Sequence, residues 1–133
     1  MNYLEAEDLT TGYGRQVISE ALNCSFEAGT ITSIIGPNGC GKSTLLKTLA
    51  RILPAEKGKV FIKNQELQHF SSKEVAQEPA ILSQTQENTI DLSVFDLVSF
   101  GRYPYQSGWK SVTTEDQEYI QWALELTGLT ELA

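Results

Sequence analysis

The polar and apolar positions of this chain read as short strands broken by turns, then helices. Leu4 to Leu9 reads as a first strand, and Val17 to Phe26 holds one or two more. Gly29 marks a turn into Ile31-Thr32-Ser33-Ile34-Ile35, a β-branched run that predicts a buried strand. After a glycine-rich stretch, Leu45, Leu46, Leu49, Ile52 and Leu53 recur at helical spacing, with Lys47 and Arg51 on other faces. Pro54 is expected to end that helix. Ala55-Glu56-Lys57-Gly58 reads as a turn and Lys59 to Ile62 as a strand. Ser72 to Glu78 predicts a short helix closed by Pro79, and Ala80 to Ser83 another short buried strand. Ser93 with Asp96 fits a capping box before a helix over Val94 to Phe100, with Gly101 at its end. Thr114 with Gln117 resembles a second box. Its helix runs through Tyr119, Ile120, Ala123, Leu124 and Leu126 to Gly128, with Glu115, Asp116, Glu118 and Glu125 mostly facing solvent. Strands interleaved with helices predict an α/β fold.

Composition narrows the field. A chain of 133 residues is one domain or part of one, and 41% hydrophobic residues can build a core. The net charge of -7 argues against a nucleic-acid partner held by bulk electrostatics. No apolar stretch approaches the ~18 residues of a membrane span, and no basic-apolar-small pattern opens the chain, so neither a span nor a signal peptide is expected. Cys24 and Cys40 show no metal-ligand spacing. Cys24 reads as a core residue, and the expected compartment is the cytosol.

The chemistry is concentrated in Gly36-Pro37-Asn38-Gly39-Cys40-Gly41-Lys42-Ser43-Thr44, which fits G-x-x-x-x-G-K-[ST]. Glycines let the backbone fold tightly around phosphate, successive N–H groups form an anion nest, and the following helix adds the positive end of its dipole. Lys42 is expected to reach the β- and γ-phosphates of a nucleoside triphosphate, and the Ser43 hydroxyl to hold Mg²⁺. Cys40 lines the cradle through its backbone. The pattern arises by chance about 0.004 times in a chain of this length, given ordinary glycine usage. The negative net charge does not oppose an anionic ligand, because screening over ~8 Å leaves the local dipoles, Lys42 and Mg²⁺ dominant.

Three separated features resemble the ATP-binding subunits of ABC transporters of the importer type. They are Ile34 to Leu46 around the glycine loop, Ile81-Leu82-Ser83-Gln84, and Leu97-Val98-Ser99-Phe100-Gly101-Arg102-Tyr103-Pro104. The last resembles the subfamily that drives ferric siderophore uptake, with vitamin B12 importers close by. The resemblance implies a P-loop core of the ABC ATPase type, with an antiparallel β-subdomain and the start of a helical subdomain. Residues 1–92 would run through the Q-loop and 93–133 would begin the helical part. It makes ATP and Mg²⁺ the cofactors, Lys42 and Gln84 catalytic, and Gln84 a metal contact beside Ser43. Tyr13 in Thr11-Gly12-Tyr13-Gly14-Arg15 matches an aromatic that stacks on adenine. The partners implied are a second ATP-binding subunit and membrane-embedded permease subunits near Gln84 to Pro104, at the cytoplasmic face of the membrane. On residues alone Tyr13 reads as a turn tyrosine, and Gln84 fits a polar strand end as well as a site. Arg102, Tyr103 and Pro104 alone read as a helix exit and surface turn. His69 reads as solvated, and Asp91 and Asp96 as turn and capping residues.

The sequence also departs from that family. It holds no Leu-Ser-Gly-Gly-Gln signature and no apolar strand ending in Asp-Glu, and His69 precedes the Q-loop and cannot serve as the switch histidine. The 133 residues are therefore expected to read as an N-terminal portion truncated before the signature, able to hold ATP and inactive in hydrolysis by themselves. A vitamin B12, haem or metal-ion importer subunit is the neighbouring alternative. A non-catalytic nucleotide-binding module is an alternative of another class. A GTPase is disfavoured by the absence of D-x-x-G and N-K-x-D.

Overall fold

The computed structural model describes residues 1–83, 91–106 and 112–133. They form two compact units, Met1–Ile81 and Leu82–Ala133.

The first unit is built on a long hairpin. β1 (Asn2–Tyr13) pairs antiparallel with β2 (Gln16–Glu27), so the span expected to hold one or two strands is a single one. Gly14 turns the hairpin at a positive φ of 59°. Irregularities in register bend both strands, with Asp8 and Ala21 at φ 47° and 48°. The Asn23 side chain bridges them: its Oδ1 accepts from the Asp8 N–H, and its amide donates to Asp8 Oδ1 and to the Ala21 carbonyl. β3 (Lys57–Ile62) pairs with the other edge of β1, and the short β4 (Gln65–Glu66) with β3, giving the order β2-β1-β3-β4.

Two helices contribute to this unit's core. α1 (Lys42–Leu49) buries Thr44, Thr48 and Leu49 and contacts β1, and α2 (Ser72–Gln77) buries Val75. Leu49 and Val75 join Ala6, Leu9, Val60, Ile62 and Leu67 in one hydrophobic cluster, and Leu9 has no exposed surface. α1 ends well before Pro54. Arg51 turns left-handed at φ 59°, and the N–H groups of Ile52 and Leu53 both return to the Lys47 carbonyl. The Arg51 guanidinium then donates to the Leu67 and Phe70 carbonyls at 3.3 and 2.6 Å, fixing the exit. α2 opens with a full capping box between Ser71 and Glu74. Its end is tied to β1, where Tyr3 Oη donates to Glu78 Oε2 at 2.5 Å, and Lys63 pairs with the same carboxylate.

Two expected strands are not formed. Residues 31–35 and 80–83 join no ladder among the described residues, and Ile31 and Ile35 are 99% and 91% exposed. A β-branched run becomes a strand only where another backbone can satisfy its N–H and C=O groups, and no described segment lies alongside.

The second unit is helical. α3 (Val94–Ser99) is capped by Ser93, whose Oγ accepts from the Asp96 N–H and donates to Asp96 Oδ2, a variant of the expected box. A 3₁₀ segment (Phe100–Tyr105) follows instead of a stop at Gly101. α4 (Thr114–Thr127) packs against α3 and buries Ile120 and Leu124. Its capping box is Thr113 with Asp116, one residue earlier than Thr114 with Gln117. Asp116 is consequently buried at 3% exposure rather than facing solvent. Gly128 ends the helix at φ 70°, with Leu129 N–H returning to the Leu124 carbonyl.

Candidate functional site

The glycine loop leads into the N-terminus of α1. Gly39 and Gly41 have φ of 84° and 102°, in the left-handed region that side chains disfavour. Gly41 is the N-cap of α1, so no side chain occupies the helix end, and the first turn carries no acidic residue. The helix dipole and its free first-turn N–H groups are therefore available to an anion. The loop is also tight. A Cβ on Gly36 would come within 2.8 Å of Cys40 Sγ, and one on Gly41 within 2.5 Å of Ile18 Cγ2 on β2. Cys40 N–H closes a turn on the Pro37 carbonyl at 3.3 Å.

Lys42 is the first residue of α1, and its ammonium curls back over the loop. Nζ donates to the Gly36 carbonyl and, at 3.1 Å, to the Pro37 carbonyl. The only positive side chain of the loop is thereby held at its mouth. Ser43 is exposed and unengaged by the core, whereas Thr44 is buried and anchors the first turn. Asn38 and Pro37 lie on the exposed outer arm of the loop.

Tyr13 ends β1, pairs with Gln16 across the hairpin, and is 49% exposed. Gly41 packs on Ile18 and Ser19, only two or three residues along β2 from Gln16. The contact joins the glycine loop to the hairpin that carries Tyr13. Gln84 lies outside the described residues. His69 is exposed, 3.9 Å from Glu66, as its polar surroundings suggest.

The donor set fits a polyphosphate with its cation: two left-handed glycines, an unobstructed helix N-terminus, one lysine at the loop mouth and an exposed serine hydroxyl beside it. Among the described residues no group of three or more His, Cys, Asp or Glu side chains could hold a metal ion without such a ligand.

An ABC transporter family profile matches residues 19–133. The chain belongs to the ABC transporter family. It is 49% identical, over all 133 residues, to the Iron(3+)-hydroxamate import ATP-binding protein FhuC of Bacillus subtilis, covering 49% of that relative. It is 43% identical over 98% of its length to the Ferric enterobactin transport ATP-binding protein FepC of Escherichia coli, covering 48% of it. The chain thus spans about half the length of the curated relatives it matches. Among solved structures, a nucleotide-free ATP-binding cassette from an ABC transporter superposes with a TM-score of 0.76 at 25% identity, over 99% of this chain and 56% of that one. The ABC ATPase fold accounts for the hairpin sheet, the loop before α1 and the helices of the second unit. No helix among the described residues is long and apolar enough to cross a membrane.

The sequence reading missed one arrangement. Arg102 turns inward onto Asp116 instead of outward. The Thr113-x-x-Asp116 capping pattern was the available signal, since it places the carboxylate at the buried base of α4.

Proposed function

We propose that these residues form the ATP-holding part of the energy-coupling subunit of an importer for ferric siderophores. The observation that carries the ATP-holding part of this reading is the loop around Gly36 to Thr44: two left-handed glycines opening a helix whose N-terminus is free of side chains and acids. A triphosphate would replace the Gly36 and Pro37 carbonyls as the acceptor of Lys42. The N–H groups of Gly39, Cys40 and Gly41 would cradle its oxygens. Ser43, with Gln84, would hold Mg²⁺, which supplies neutralisation of phosphate charge when bound. Tyr13 would stack on adenine, contributing roughly 1–3 kcal/mol by analogy with other base–aromatic stacks.

Phosphoryl transfer also needs an oriented water, and the 133 residues contain no Asp-Glu pair after an apolar strand to polarise one. We assign hydrolysis to a protein of the relatives' full length, working as a pair of ATP-binding subunits, of which these residues match about half. The names of both similar proteins support iron-complex import as the process. The membrane-embedded subunits would be met by residues 84–104, at the cytoplasmic face of the membrane.

The test is uptake of labelled ferric hydroxamate by cells whose full-length copy carries Lys42→Ala. Uptake is expected to fall to background, and uptake at the wild-type rate would refute the proposal.

A further inference from the structure

The 3₁₀ segment Phe100–Tyr105 carries an arginine that does not offer itself to a partner. Arg102 Nε donates to Asp116 Oδ1 at 2.8 Å, with 13% of the arginine side chain and 4% of the aspartate side chain exposed. Its guanidinium carbon lies 4.4 Å from the Tyr105 ring centroid and 4.3 Å from that of Tyr119. A guanidinium lying over two aromatic rings, with a carboxylate bonded at its Nε, is held by all three groups. The carboxylate is fixed too. Asp116 Oδ2 accepts from the Thr113 N–H, and the Asp116 N–H donates to Thr113 Oγ1, both at 3.1 Å. The segment is thus locked to the first turn of α4. The next residue, Tyr103, faces the other way: it is 58% exposed, with its ring 5.1 Å from that of Phe100.

We propose that Arg102 is a positioning residue for coupling: its inward lock on Asp116, Tyr105 and Tyr119 sets the turn so that Tyr103 is presented to the membrane-embedded subunit. This rests on the reading that residues 84–104 meet that subunit. Lysine cannot take over the role, because an ammonium lacks both the plane that stacks on two rings and the edge that bonds the carboxylate. Phenylalanine at position 119 keeps the aromatic face, whereas alanine removes it.

The test uses the full-length subunit assembled with its membrane subunits, with p-benzoyl-phenylalanine placed either at position 103 or at position 97 on α3. Photocrosslinking to the membrane subunit is read in the wild type and in Arg102→Gln, Arg102→Lys, Tyr119→Phe and Tyr119→Ala. At position 103 the yield is expected to fall about tenfold in Arg102→Gln, Arg102→Lys and Tyr119→Ala and to persist in Tyr119→Phe, while position 97 stays within about twofold throughout. Parallel loss at both positions would overturn the proposal, because Arg102 would then only hold the unit folded. Unchanged yield at position 103 in Arg102→Gln would overturn it as well. Absence of any crosslink in the wild type would instead remove the docking reading on which it stands.

Discussion

Residues 60–62 and residues 31–35 are both rich in β-branched residues and have opposite fates. Val60 and Ile62 lie in β3 at 5% and 3% exposure, paired with β1 and packed into the core. Ile31 and Ile35 join no ladder among the described residues and are almost wholly exposed. Both runs favour a strand, so propensity does not separate them. The difference is a neighbouring backbone on one side and a packed face beneath. β3 has β1 beside it and Leu9, Leu49 and Val75 in the same cluster; residues 31–35 have neither among the described residues. A strand is a property of the ladder and of the covered face, not of the segment that enters it.

The comparison breaks most severely at Leu9, the centre of the cluster. Leu9→Ala is expected to cost about 2–5 kcal/mol in urea denaturation of the chain, the range for a large-to-small change in a packed core. A change under half a kcal/mol would mean that β3 is not held by this core. Acid tests the link between β1 and the end of α2. The Tyr3 hydroxyl, then Lys63, hold the Glu78 carboxyl below its ordinary value. A carboxylate whose pKa is lower folded than unfolded contributes stability above the unfolded value and loses it as pH falls through the folded one. The urea midpoint is therefore expected to drop on acidification below the usual glutamate range, and to drop less in Tyr3→Phe. Equal pH profiles for the two proteins would break that link. The smallest effect belongs to the exposed run. Ile31→Thr with Ile35→Thr is expected to change stability by no more than about 0.5 kcal/mol, as for surface positions, while lowering aggregation seen by light scattering. A large loss of stability would mean that the run is packed after all.

The sequence made the glycine loop legible because its determinants are local: positive-φ glycines, a helix start and a lysine within nine residues. The strands around Leu4, Val17 and Lys59 were legible for the same reason, as was α2, expected over Ser72 to Glu78 and formed over Ser72–Gln77. Long-range pairing was not. Nothing local states that the 31–35 run joins no ladder among the described residues, or that Arg51 leaves the helix to reach Leu67 and Phe70. The capping box at α4 slipped by one residue because Thr113 and Thr114 are adjacent and both can cap; only burial of Asp116 by Arg102 decides between them. Tyr13 is ambiguous on residues alone; Gly41 against Ile18 and Ser19 brings its hairpin to the loop, and its stacking on adenine is a proposal. The role expected for Gln84 falls outside the described residues.

The central claim is that the loop before α1 holds a nucleotide through Lys42. It is tested most directly by equilibrium titration of the 133-residue chain with a fluorescent ATP analogue and Mg²⁺, in wild type and Lys42→Ala. Hydrogen bonds to charged groups contribute about 1.5–3 kcal/mol, so saturable binding weakened roughly ten- to a hundredfold by the substitution is the predicted result. Binding of equal strength in the two proteins would contradict the account.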